Sequence, residues 1–199
     1  MQKVPVFMIL RKFTTIIIFI FLLSIIAGMY GIVHDLITYK ISPEYFTKFK
    51  FIQFGLIEGG NNVPINTLQL LVFTGWASTW WVGFIAAGIF GSVAFRLKKA
   101  KIVAGAIVKA SLLMIGTAVL FGILGYNIGF FTEAPSDLSQ LCTECGNLEN
   151  PDAFITAGYV HNFSYIGGFL GIMLGVVSIV KHRRQSIVKH VSKADEAEL

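Results

Sequence analysis

The feature that most limits what this chain can fold into is a set of long runs without charge. Residues 68–95 contain no Asp, Glu, Lys or Arg, and residues 13–33, 102–131 and 158–180 carry only Lys109 between them. A helix needs roughly 20 apolar residues to cross the hydrocarbon core of a bilayer, and each of these runs is long enough. Hydrophobic residues make up 55% of the chain and charged residues 14%, against about 25% charged in soluble domains. That leaves too few charges to coat a water-facing globule, and an aromatic content of 14% excludes a disordered one. The expected fold class is therefore all-α: one integral membrane domain over residues 1–199, a four-span helix bundle with outer loops at 34–67 and 132–157 and a basic tail at 181–199.

The charges that remain set the orientation. Of the 16 Lys and Arg residues, all but Lys40, Lys48 and Lys50 fall before span one, between spans two and three, in the cytoplasmic half of span three, or after span four. Eight of the 11 acids fall in the two intervening loops. Cytoplasmic loops hold the excess of cations, so both termini are expected in the cytoplasm. The surplus of cations is thus an orientation signal, and no nucleic-acid partner is implied. The apolar stretch of span one exceeds the roughly 7–15 residues of a signal-peptide core, so it reads as an uncleaved anchor.

Small residues let helices approach closely in lipid. Gly167, Gly171 and Gly175 form one stripe on span four, while Gly122, Gly125 and Gly129 mark span three and Gly83, Gly88 and Gly91 span two. This predicts a tight bundle, with the same faces open to a second copy or another membrane protein. The bilayer itself is the partner that composition demands.

In the first outer loop, Ser42-Pro43-Glu44 carries a hydroxyl cap, a proline at the first helical position and an acid near the positive end of the dipole. The helix it starts would carry Tyr45, Phe46, Phe49, Phe51 and Phe54 and suits the headgroup layer. The second loop contains Cys142 and Cys145. Facing an oxidising compartment, they read first as a disulfide, with a two-thiolate metal half-site or a redox pair as alternatives.

Chemistry concentrates at the outer ends of spans one and four. His34 ends span one and His161 opens span four, so two imidazoles are expected at one membrane depth. With Asp35 and Glu44 they make the nitrogen and oxygen set that zinc, copper or iron prefers. His34 and His161 would be nitrogen ligands, and Asp35 and Glu44 oxygen ligands or groups that orient them. Tyr30 shares a face with His34 and Tyr165 with His161, each four residues apart. Together with Asn162 they would supply hydrogen bonds. A metal-free pocket, or amphipathic residues anchoring helix ends, fits the same residues.

Residues 30–54, and within them His34-Asp35, Thr38 and Ser42-Pro43-Glu44-Tyr45-Phe46-Thr47, resemble a segment of uncharacterised bacterial multi-pass membrane proteins. The resemblance implies a bacterial inner-membrane location and no particular catalysis. The reading is then a membrane protein with a His/carboxylate metal or ligand site at its outer face. The alternatives are a non-catalytic accessory or assembly subunit of a larger complex, and a small transporter.

Overall fold

The computed structural model describes residues 6–58, 66–135 and 148–195. Among them are four long helices, α1 (Val6–Ile41), α4 (Thr67–Ala94), α5 (Ala100–Phe130) and α6 (Pro151–Asp195), and no strand. All four are long and apolar enough to cross a membrane. Three short pieces join α1 to the rest: α2 (Pro43–Tyr45), a π-helical segment (Phe46–Lys50) and α3 (Phe51–Gln53). Cys142 and Cys145 lie outside the described residues.

Two helices are longer than the apolar runs within them. At a rise of about 1.5 Å per residue, the 36 residues of α1 extend about 54 Å, well beyond a hydrocarbon core of about 30 Å. His34 is therefore not a helix end: α1 continues two further turns, because nothing before Ser42-Pro43 interrupts it. Proline disfavours the α conformation in the residue before it, and Ser42 is extended (φ −145°, ψ 100°), its Oγ accepting from the Tyr45 N–H at 3.2 Å. That cap is the one its sequence predicts. In the same way α6 begins at Pro151, ahead of the apolar run at 158. Asn150 caps it by accepting from the Ala153 N–H at 3.1 Å, and Pro151 and Asp152 follow in the first turn.

The helices pack as two close pairs, α1 with α4 and α5 with α6, with sparser contact between the pairs. Glycine explains the division. A Cβ on Gly31 would fall on the Gly75 carbonyl oxygen, and one on Gly171 would lie 2.5 Å from the Met114 Cα. Most of the close glycine contacts thus fall within pairs, while Gly175, near one end of the α6 stripe, meets Phe90 of α4 across them. Between the pairs, one apolar core built around Phe90, Ile107 and Ile179 fills one end of the bundle. A second, around Phe46, Phe51 and Phe154, fills the other.

The aromatic loop helix departs from its expected place in the headgroup layer. Phe46 and Phe51 are fully buried and Lys50 is 4% exposed, so the segment packs inward as a plug. The π geometry is the cause. The Phe51 N–H bonds to the Phe46 carbonyl five residues back, and the wider turn brings both phenyl rings to one side, 5.8 Å apart. Gly55 (φ 66°) then stops the helix in a left-handed cap, with Gly55 N–H to Ile52 O at 2.8 Å and Leu56 N–H to Phe51 O at 2.9 Å.

Candidate functional site

Where α1, α4 and α6 meet under this plug, the fold buries a charge pair beside two imidazoles. Asp35, on α1, is 2% exposed. Its two carboxylate oxygens accept from the Lys50 ammonium at 2.6 and 2.7 Å, and the Thr74 hydroxyl of α4 donates to Oδ2 at 3.1 Å. The π-helical segment is what aims Lys50 inward onto this carboxylate. Burial pulls the Lys50 ammonium below the ordinary lysine range, and Asp35 opposes that shift without cancelling it.

The imidazoles flank the carboxylate. His34 Nδ1 lies 3.8 Å and His161 Nε2 4.0 Å from Asp35 Oδ1, and the two rings meet edge to face at 4.6 Å between centroids. One donor atom from each of His34, Asp35 and His161 falls within 4.8 Å of the others. Donors about 2.0–2.2 Å from a tetrahedral zinc stand about 3.3–3.5 Å apart, so small side-chain rotations would close the set around an ion. An outer partner is in place for His34, on the ring nitrogen turned away from Asp35, whereas the His161 nitrogen that faces Asp35 is itself the one in contact with Thr38. His34 Nε2 is 3.1 Å from Ser164 Oγ, and Tyr30 lines the same cavity wall. His161 Nε2 is 3.2 Å from Thr38 Oγ1, and the Tyr45 ring stacks on the imidazole at 5.0 Å.

The centre faces a cavity of about 590 Å3 between the helix pairs. Tyr30, His34, Asp35, Ser78, His161 and Ser164 form its polar end, and most of the remaining wall is aliphatic or aromatic. A second cavity of about 500 Å3 adjoins it, with Ser78, Trp81, His161 and Tyr165 common to both.

The other expected site residues sit differently. Glu44 does not join the centre. Its carboxylate accepts from Lys48 Nζ at 2.6 Å and from the backbone N–H groups of Glu149 and Asn150, each at 2.9 Å, and so ties the plug to the start of α6. Burial alone would raise its pKa, but Lys48 and the two N–H donors outweigh that and hold it below the usual carboxylate range. Asn162 is exposed and lines the second cavity. Tyr165 reaches Ser78 of α4, at the wall between the two cavities.

Lys50, Thr74, Thr38 and Ser164 were not expected at the site. Thr38 and Ser164 lie four and three residues after His34 and His161 on their own helices, a spacing that places them on the same faces. Lys50 and Thr74 reach Asp35 only through tertiary packing. Comparison with protein-family models, curated proteins and solved structures finds no match.

Proposed function

We propose that this chain is a membrane metalloprotein of the bacterial cytoplasmic membrane, with both termini inside. Its divalent transition metal would be held by His34, Asp35 and His161. One observation carries the reading: two histidines and an aspartate from opposite ends of the chain bring their donor atoms within 4.8 Å. Two imidazoles and one carboxylate suit zinc, iron or copper, and a three-ligand site leaves coordination positions open for water or substrate. A ligating histidine usually gives its second ring nitrogen to a hydrogen-bond partner, and Ser164 stands in that place for His34.

A second reading has a specific observation behind it. Lys50 already holds both Asp35 oxygens, which fits a metal-free buried ion pair beside two imidazoles acting on a bound ligand. Elemental analysis of the detergent-purified protein separates the two, with wild type beside His34→Ala and His161→Ala. Near-stoichiometric metal that both substitutions abolish is the outcome expected. No metal in any sample, even after soaking in zinc, iron or copper, refutes the metal centre and leaves the ion-pair reading.

A further inference from the structure

The larger cavity is too apolar and too well placed to serve only as an antechamber to the polar centre. It opens where α4 and α6 separate. Trp81 and Ile85 on one side, and Tyr165 and Phe169 on the other, line the cavity and are also exposed on the outside of the bundle. These are residues of apolar spans, so the medium at the mouth is hydrocarbon rather than water. Further in, the wall continues with Met114 and Ala118 of α5, each 7% exposed. The polar groups gather at one end, around His34 and His161. A volume of about 590 Å3 lies within the range of small-ligand sites, about 300–1,000 Å3.

We infer that this cavity binds one linear hydrocarbon chain of a membrane amphiphile, a fatty acyl or polyprenyl chain entering sideways from the bilayer, with its polar end against His34 and His161. Three features point to that ligand class. The mouth opens on lipid, the long wall offers almost nothing to hydrogen-bond, and the donors and acceptors stand together at one end. A compact polar solute matches none of these. The fold also explains why the space exists, since most close glycine contacts hold α1 on α4 and α5 on α6, while contact between the two pairs is sparser and centred elsewhere, at Gly175 and Phe90. The inference does not depend on a metal being present.

The test uses the full chain in phosphatidylcholine vesicles with a trace of fatty acid carrying a mid-chain diazirine, and in parallel a diazirine-bearing polyprenol. After irradiation, the labelled residues are mapped by mass spectrometry. Met114 and Ala118 are shielded from bulk lipid, so label there reports a chain inside the cavity, whereas Leu112 and Phe130, 66% and 64% exposed, report the surrounding bilayer. The expected result is label at Met114 and Ala118 from at least one probe, and which probe succeeds tells acyl from polyprenyl. Gly168→Trp should abolish that label and leave Leu112 unchanged, because Gly168 lines the cavity and a side chain there projects into open space. Ile115→Trp, on α5 and also lining the cavity, is the second blocking variant should the first fail to fold. Label confined to Leu112, Phe130 and similar outward positions in the wild type overturns the inference, as does interior label that survives both blocking variants. Metal content measured on the same samples keeps the two questions apart: label without metal sinks only the metal centre, and metal without interior label sinks only the chain site.

Discussion

Breaking the Asp35–Lys50 pair tests the energetics of the centre most directly. Lys50→Met removes the ammonium but keeps a side chain of similar length. At 2.6–2.7 Å and an effective dielectric constant of about 20, the attraction is worth about 6 kcal/mol. Much of that offsets the cost of taking both charges out of water, so the pair adds little net stability. Losing one partner is different, because it strands a carboxylate whose side chain is 2% exposed, with only the Thr74 hydroxyl bond left to it. The expected loss is about 3–5 kcal/mol. Asp35→Asn together with Lys50→Met leaves no buried charge, and it should recover most of that loss. The assay is thermal unfolding in detergent of wild type, both single variants and the double variant. Zinc adds a further arm: with Lys50 gone the His34, Asp35 and His161 set is free of its competing cation, so zinc at about 100 times its Kd should restore about 2.7 kcal/mol. Single-variant losses below about 1 kcal/mol, or losses that simply add in the double variant, would refute the buried-pair reasoning. Stability lost but not restored by zinc would tell against the metal centre alone.

Other expectations follow from the same contacts. Glu44→Gln should lower stability at pH 7 by about 0.5–2 kcal/mol, the range of a lost helix-end contact. Glu44 has a folded-state pKa depressed from its usual 4.5, so its contribution is present above that value and is lost as pH falls through the depressed one. The difference between wild type and Glu44→Gln in unfolding temperature should therefore shrink as pH falls below 4.5, and a constant difference would contradict the contact. Gly171→Leu drives a side chain into the Met114 backbone, 2.5 Å away at Cβ alone, and should cost more than the roughly 1–3 kcal/mol of ordinary overpacking. Gly105→Leu, at a site with nothing within 4 Å, is the control, and equal losses in an unfolding assay would show that the glycine stripe does not seat α5 on α6. Fusion of a reporter that fluoresces only in the cytoplasm should give signal at both termini, and a dark fusion at either would reverse the orientation derived from the cations.

Much of the architecture was legible because it rests on local properties. Uncharged runs mark helices whatever packs against them, and Ser42-Pro43 ends one helix and starts the next by its own covalent geometry. The Asn150-Pro151-Asp152 signature was equally present, yet the apolar run at 158 suggested the later start. Hydropathy reports where lipid can lie along a helix, and the helix itself ends only at a cap or a breaker. The candidate site was legible in part. His34, Asp35 and His161 stood out as polar residues at the ends of apolar runs, and Glu44 stood out as the acid at a helix start in the first outer loop. Nothing in its local sequence tells whether a loop carboxylate turns toward the bundle or toward the next helix start. That depends on the two N–H groups of Glu149 and Asn150, more than a hundred residues away.

The sequence by itself determined that the chain is a set of membrane-length helices, which helix faces are small enough for close contact, and where the short helix after Ser42 starts. These follow from side-chain hydrophobicity, the missing Cβ of glycine and the restricted dihedral angles around proline, all of which act over a few residues. Only the tertiary structure decided that the glycine faces close two pairs and leave a cavity between them. It also decided that a π-turn carries Lys50 inward onto Asp35, and that His34 and Ser164, 130 residues apart, share a hydrogen bond. The reason is physical: a buried charge must find its counter-charge in three dimensions, and burial of this kind has no periodicity to read along the chain.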